Sequence, residues 1–253
     1  AVQPKIATHL AACSSELLYR SAVMAPGIAA TWAQVSSTGS LYIPAVSDRY
    51  NVWGVPPVQI RDPVYNAQTA VDPFYFAAVM AALQAAFPPQ ITFDETQVPG
   101  ILGFLGWSDH GPYIPKADLQ TLGQVGFATA YIRQRSSGVF VKDNITAGAY
   151  SLDGQSINPF YQMSLRKQDD AVSRTAVAAA QQFRGSTAPG TTAMALEIQN
   201  AIDESLTALS WLTSHAVTCT PQSGNPFNYA VTINYVPEFP VLGIAITTTF
   251  SFS

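Results

Sequence analysis

Ser108, Asp109 and His110 follow one another in the segment Gly106-Trp107-Ser108-Asp109-His110-Gly111 and carry the three functional groups of a serine-hydrolase triad. A triad needs nucleophile, base and orienting carboxylate to converge on one point, ordinarily from separate segments. Three consecutive side chains diverge instead. The G-x-S-x-G nucleophile elbow is also missed, because the second glycine falls one residue late. The segment reads as a turn.

The adjacent carboxylates of Asp169 and Asp170 invite a general acid/base reading. They fall in a helical pattern, where neighbours point about 100° apart and cannot face one another. A solvated helix face is expected there, with Arg166, Lys167 and Arg174 as partners at helical spacing. His9, His110 and His215 show no metal-ligand spacing, and Cys13 and Cys219 lie too far apart in sequence for a metal or disulfide motif. Both cysteines read as buried free thiols. No phosphate-binding loop, dinucleotide fingerprint or H-E-x-x-H motif occurs. Asn144-Ile145-Thr146 matches a glycosylation triplet, which matters only in a secretory pathway. No catalytic residue, cofactor or metal is assigned, and the chain reads as a non-enzyme.

Among the elements that would position these groups, a helix is expected from Ile6 to Arg20, ended by Met24-Ala25-Pro26-Gly27, followed by an ordered loop with Leu41-Tyr42-Ile43-Pro44 and Val55-Pro56-Pro57-Val58. Asp72 as N-cap and Pro73 at the first helical position start the next helix. Its stripe is Phe76, Val79, Met80, Leu83 and Phe87, and Pro88-Pro89 stops it. Ile101 to Leu105 reads as a short strand or turn, and Asp118 to Gln124 as a helical turn. Ala128 to Arg133 and Val139 to Val141 read as strands flanking the turn Ser136-Ser137-Gly138. Two helices follow: Tyr161 to Arg184, capped by Gly185, and Thr192 to Thr213, with Met194, Ile198, Ile202, Leu206, Leu209 and Leu212 in register. Strands at Tyr229 to Val236 and Leu242 to Phe252 close the chain. Helices and strands mix throughout, which predicts an α/β (mixed α+β) layered domain over residues 1–253, a mixed sheet flanked by helices.

The last strand is unusual. Leu242, Ile244, Ile246, Phe250 and Phe252 point one way, while Gly243, Ala245, Thr247, Thr249 and Ser251 point the other. Between Ser205 and Ser253 the one permanently charged side chain is Glu238, and nothing after Pro240 blunts a sheet edge. Residues 241–253 therefore either complete the chain's own sheet or add to another molecule's by β-augmentation.

Composition points the same way. Charged residues are 11% of the chain, against about 25% in an ordinary soluble domain, and 48% are hydrophobic. Obligate interfaces are depleted in charge in this manner, as is a Ser/Thr-rich secreted protein. The net charge of −4 with no basic run excludes a nucleic-acid partner. The most apolar helix, Phe74 to Phe87, falls short of the roughly 20 residues a bilayer requires. Ala1 to Lys5 lacks the features of a signal peptide, although a mature exported chain would lack them too.

The order of segments resembles the core of contractile phage tail sheath proteins. LAACSSELLYR (Leu10 to Arg20), Tyr42-Ile43-Pro44 and Val55-Pro56-Pro57 are similar to that family's first helix, Tyr-Pro segment and Pro-Pro turn. Lys116 to Leu122, Gly138-Val139-Phe140-Val141, Asn144-Ile145-Thr146 and Met163-Ser164-Leu165-Arg166-Lys167-Gln168 resemble its later helix, glycine turn, strand and helix start. The chain is short for the family and starts almost at the first core helix. The resemblance implies a minimal sheath subunit, or one without its N-terminal arm.

Such a subunit would stack as hexameric rings around a tail tube and contract to drive the tube through a host envelope during genome ejection. Its partners would be copies of itself, the tube protein, and terminator and baseplate proteins. It would be assembled in the host cytoplasm and reside in the virion, with no direct membrane insertion. Leu242, Ile244, Ile246, Phe250 and Phe252 would form the inter-subunit strand. Two alternatives stand beside it: another virion component such as a terminator, neck or capsid protein, and a secreted hydrolase or binding domain using the aromatics between Leu41 and Tyr65.

Overall fold

The computed structural model describes residues 3–15, 20–38, 40–43, 49–133, 138–147, 162–185, 191–222 and 225–238. Two hydrophobic cores organise them. The first begins with α1 (Gln3–Ser15), which buries Leu10 and Cys13. The expected continuation to Arg20 crosses residues outside the described set. The chain then enters β1 (Ala22–Met24), where a helix end was expected, and pairs in parallel with β2 (Tyr50–Val52). A parallel bridge joins Trp53 to Ala128. There the Gly54 N–H donates to the Ala128 carbonyl at 2.9 Å, and the Ala128 N–H to that of Val52 at 2.8 Å. This bridge links β2 to the antiparallel pair of β6 (Thr129–Ile132) and β7 (Val139–Asp143), so the layer is mixed, as expected. A second small antiparallel sheet has β3 (Val58–Arg61) between β4 (Gln68–Val71) and β5 (Ile101–Phe104).

Helices cover these strands for reasons visible in their ends. The short α2 (Trp32–Val35) carries a capping box from Thr31 and Gln34. For α3 (Pro73–Ala86), Asp72 accepts the Phe74 N–H at 2.9 Å and the Ile28 N–H at 2.9 Å, tying the helix start to the loop after β1. Phe76 and Met80 are fully buried, whereas Phe87 at the C-cap is exposed. The helix α4 (Lys116–Val125) ends where Gly126 adopts φ 106°, a conformation glycine reaches without strain. Trp53, Val55, Val58, Phe76, Met80, Leu122 and Phe127 fill the centre.

The second core lies between α5 (Met163–Gln181), α6 (Thr192–Thr207) and the antiparallel hairpin of β8 (Ser214–Gln222) and β9 (Asn225–Val236). Val172, Ala176 and Ala179 of α5 meet Met194, Ile198, Ile202 and Leu206 of α6, with Trp211 and Val217 closing the end. The α6 helix stops at Thr207, earlier than periodicity suggested. Leu209 and Leu212 continue the apolar spacing in turns, with N–H bonds to Leu206 and Leu209 at 3.0 Å each. The whole of β8 escaped the sequence reading. Leu242, Ile244, Ile246, Phe250 and Phe252 lie outside the described residues.

Candidate inter-subunit site

The β8–β9 hairpin is the last sheet before the uncharged tail in sequence, and its two edges differ. Cys219 lies opposite Val231 in the ladder, yet its N–H turns away from β9 and donates to the Gln199 side-chain carbonyl of α6 at 3.2 Å. Backbone direction alternates along a strand, so Pro221 shares that outward orientation, and it has no N–H to offer. The β8 edge is thus closed by a side-chain amide and a proline. By the same alternation, Val231 and Ile233 of β9 direct their backbone groups to the opposite edge. Among the described residues no strand pairs with them there. Neither strand carries Lys, Arg, Asp or Glu, the usual means of blunting an edge. One face packs on the second core through His215, Val217, Cys219, Ile233 and Tyr235; the other shows Ala216, Thr218, Thr220, Thr232 and Asn234 to solvent.

The chain leaves β9 under tight control. Gln168 of α5 is 0% exposed, and its carboxamide pairs with both backbone polar groups of Glu238. It accepts the Glu238 N–H at 3.0 Å and donates to the Glu238 carbonyl at 2.9 Å. These are the two bonds that a residue of a neighbouring strand would make. One position on, Asp169 accepts the Tyr235 hydroxyl. Burial, with Asp169 adding to it, raises the Tyr235 phenol well above its ordinary range, so it donates as a neutral hydroxyl.

Residues 166–170 overturn the expectation of a solvated face. Arg166, Gln168 and Asp170 are buried. Asp170 receives Arg49 of the first core and, at 2.7 Å, Arg166 of its own helix; Arg166 also meets Asp169 at 3.0 Å. Lys167 donates to the carbonyls of Gln84 at 2.6 Å and Phe87 at 3.1 Å, at the C-terminal end of α3. Burial lowers its ammonium to about 8. Arg174 bonds the Asp170 backbone carbonyl at 3.2 Å rather than a carboxylate. The helical spacing was read correctly, but a polar run looks alike in sequence whether water or other elements surround it. An apolar residue on both sides of the run, at Leu165 and Val172, was the available signal that this turn is enclosed.

The Ser108-Asp109-His110 segment is a turn closed by a bridge between Trp107 and His110. Its polar groups serve packing. Asp109 accepts the N–H groups of Trp32 at 2.6 Å and Ala33 at 3.0 Å, which together hold its carboxyl below the usual range. His110 Nε2 meets Asp118 at 2.9 Å. Burial opposes its charge, but the Gly111 carbonyl and Asp118 outweigh that and raise the imidazole. His9 sits 3.5 Å from Cys13 Sγ, and His215 3.2 Å from Asp203. Both cysteines are free and buried, and burial raises the Cys219 thiol. Among the described residues, no group of three or more His, Cys, Asp or Glu could hold a metal, and no helix is long and apolar enough to cross a membrane.

No family model and no characterised protein matches the chain by sequence. Solved structures do match by fold. The helical sheath of the anti-feeding prophage in its contracted state superposes with a TM-score of 0.65 at 15% identity, over 95% of this chain and 64% of that one. The sheath tail protein of Desulfitobacterium hafniense gives 0.62 at 8% identity, over 93% and 53%. That of Listeria innocua gives 0.55 at 15%, over 75% and 47%. A chain in the anti-feeding prophage baseplate gives 0.61 at 15%, over 82% and 56%. The chain thus spans about half to two thirds of the length of these proteins, and across that span its fold is the contractile tail sheath fold.

Proposed function

We propose that this chain is a structural subunit of a contractile tail sheath, one domain whose residues 241–253 join it to its neighbours. The observation that carries this reading is the fold likeness to sheath proteins, over nearly the whole chain. The β8–β9 hairpin supplies the physical means: an unblunted β9 edge, a partner-free Val231–Ile233 stretch among the described residues, and an uncharged alternating tail suited to add to it. Main-chain bonds would give the joint strength, and Leu242, Ile244, Ile246, Phe250 and Phe252 would set its register. In this reading subunits stack as hexameric rings around a tube, shorten the lattice on contraction and drive the tube through a host envelope. Tube, terminator and baseplate proteins are the further partners, and the virion is where the assembled protein resides. The role is mechanical, without catalysis.

Deleting Leu242 to Ser253 tests the reading. The truncated chain is expected to stay folded by circular dichroism and to form no tubes in negative-stain images, while the full chain forms helical tubes of six-fold symmetry. A full-length chain that remains monomeric at high concentration overturns it. Closed rings or shells point instead to another virion component.

A further inference from the structure

Resting on the reading of the tail as an inter-subunit strand, we propose that the second turn of α5 is the anchor of that tail, with Gln168 standing in for a neighbouring strand. Five consecutive side chains make this case, because four of them reach different parts of the molecule. Lys167 holds the C-terminal end of α3, Gln168 holds Glu238, Asp169 holds Tyr235 of β9, and Asp170 holds Arg49 ahead of β2. Arg166 braces the set by pairing with both Asp169 and Asp170. The Gln168 carboxamide is buried, and both of its polar atoms engage the backbone of one residue, the N–H and C=O of Glu238. A buried amide satisfied in this way is costly to release, since its donor and acceptor would be stranded. The tail is therefore held at Glu238 rather than at the end of β9, and a pull on it is delivered to α5 and from there to both cores. Gln168 is a positioning residue in this account.

Hydrogen exchange on the unassembled full-length chain tests the anchor independently of assembly. Gln168→Met conserves volume and removes both bonds. The Glu238 amide is expected to exchange at least tenfold faster in this variant, with protection in α6 and β8 unchanged. Tubes formed by the variant are expected to come apart at lower urea than those of the parent. Glu238 exchange within twofold of the parent overturns the proposal. Should Gln168→Met not fold, Gln168→Glu decides: it keeps an acceptor for the Glu238 N–H and loses the donor to its carbonyl. An intermediate acceleration supports the anchor, and no change refutes it. A parent chain with a protected Glu238 amide that forms no tubes refutes the sheath reading and leaves the anchor standing.

Discussion

Arg49 and Asp170, 121 residues apart in sequence, form an ion pair that fastens the first core to the helix of the second. Both side chains are largely enclosed, and Arg166 completes the cluster. Taking charges out of water is costly, so such a cluster contributes modestly while whole. Removing one member strands the others at roughly 3–5 kcal/mol. Asp170→Ala is accordingly expected to lower unfolding stability by about 3 kcal/mol or more in urea titration. Arg174→Ala, which loses one bond to a backbone carbonyl, is expected to cost about 1 kcal/mol.

Lys167 makes the stability of the protein rise with pH over a defined window. Its folded-state value of about 8 lies below the ordinary lysine range near 10.5. Between those values the unfolded chain binds a proton that the folded chain does not, so stability increases as pH rises through the window and is lowest below it. Comparing urea midpoints of the parent and Lys167→Met from pH 7 to 9.5 isolates the effect. The difference between the two is expected to shift steadily in the parent's favour with increasing pH, and a flat difference contradicts it.

Asp109 gives a dependence of the same sign in an acidic window. Its carboxyl is held below the ordinary range by the Ala33 and Trp32 amides, so the stability it gives is present above the ordinary carboxylate value near 3.9 and is lost as pH falls through the folded value. Asp109→Asn is expected to melt lower than the parent at pH 7, with the gap closing toward pH 3 in thermal scans.

Gly106 cannot take a side chain. It adopts φ 85°, and an added Cβ would lie 2.6 Å from the His110 carbonyl oxygen and 2.7 Å from the Gly111 carbonyl carbon. Left-handed strain alone costs on the order of 1–3 kcal/mol, and the backbone clash adds to it. Gly106→Ala is expected to destabilise by about 3 kcal/mol or more, whereas Gly27→Ala, with open space and no positive φ, stays within about 1 kcal/mol.

The open edge of β9 predicts a separation of folding from assembly. Val231→Pro deletes one outward N–H at a position where an edge strand tolerates proline. The monomer is expected to keep its far-ultraviolet spectrum and to form tubes poorly, as judged by sedimentation. Tube formation at the parent's level would place the added strand elsewhere.

The elements legible in the sequence were those with local signatures. Asp72-Pro73 announced α3, Pro88-Pro89 its end, and the apolar spacing of Met194 to Leu206 fixed α6, because caps and helical periodicity act within a few residues. The strands β1 to β4 and β8 were missed, since strands of three or four residues carry little period and β8 sets two buried residues, Val217 and Cys219, among Ser, His, Ala, Thr, Pro and Gln. The anchor turn was misread for a deeper reason. The chain between Arg166 and Asp170 states which groups can ionise, while their solvation depends on Arg49, Gln84, Tyr235 and Glu238, distant in sequence. The tail from Leu242, read from its alternation and its lack of charge, lies outside the described residues.

One helix belongs to both cores. The polar turn of α5 is clasped by the first, and Val172, Ala176 and Ala179 are packed into the second. Its 19 residues span roughly 28 Å at about 1.5 Å per residue. Gripped at Asp170, it leaves 11 residues, roughly 16 Å, projecting into the second core as a lever arm. Tilting it by about 10° about the Arg49–Asp170 fulcrum would carry its far end through roughly 3 Å, so a slight rotation of one core becomes a displacement of the other.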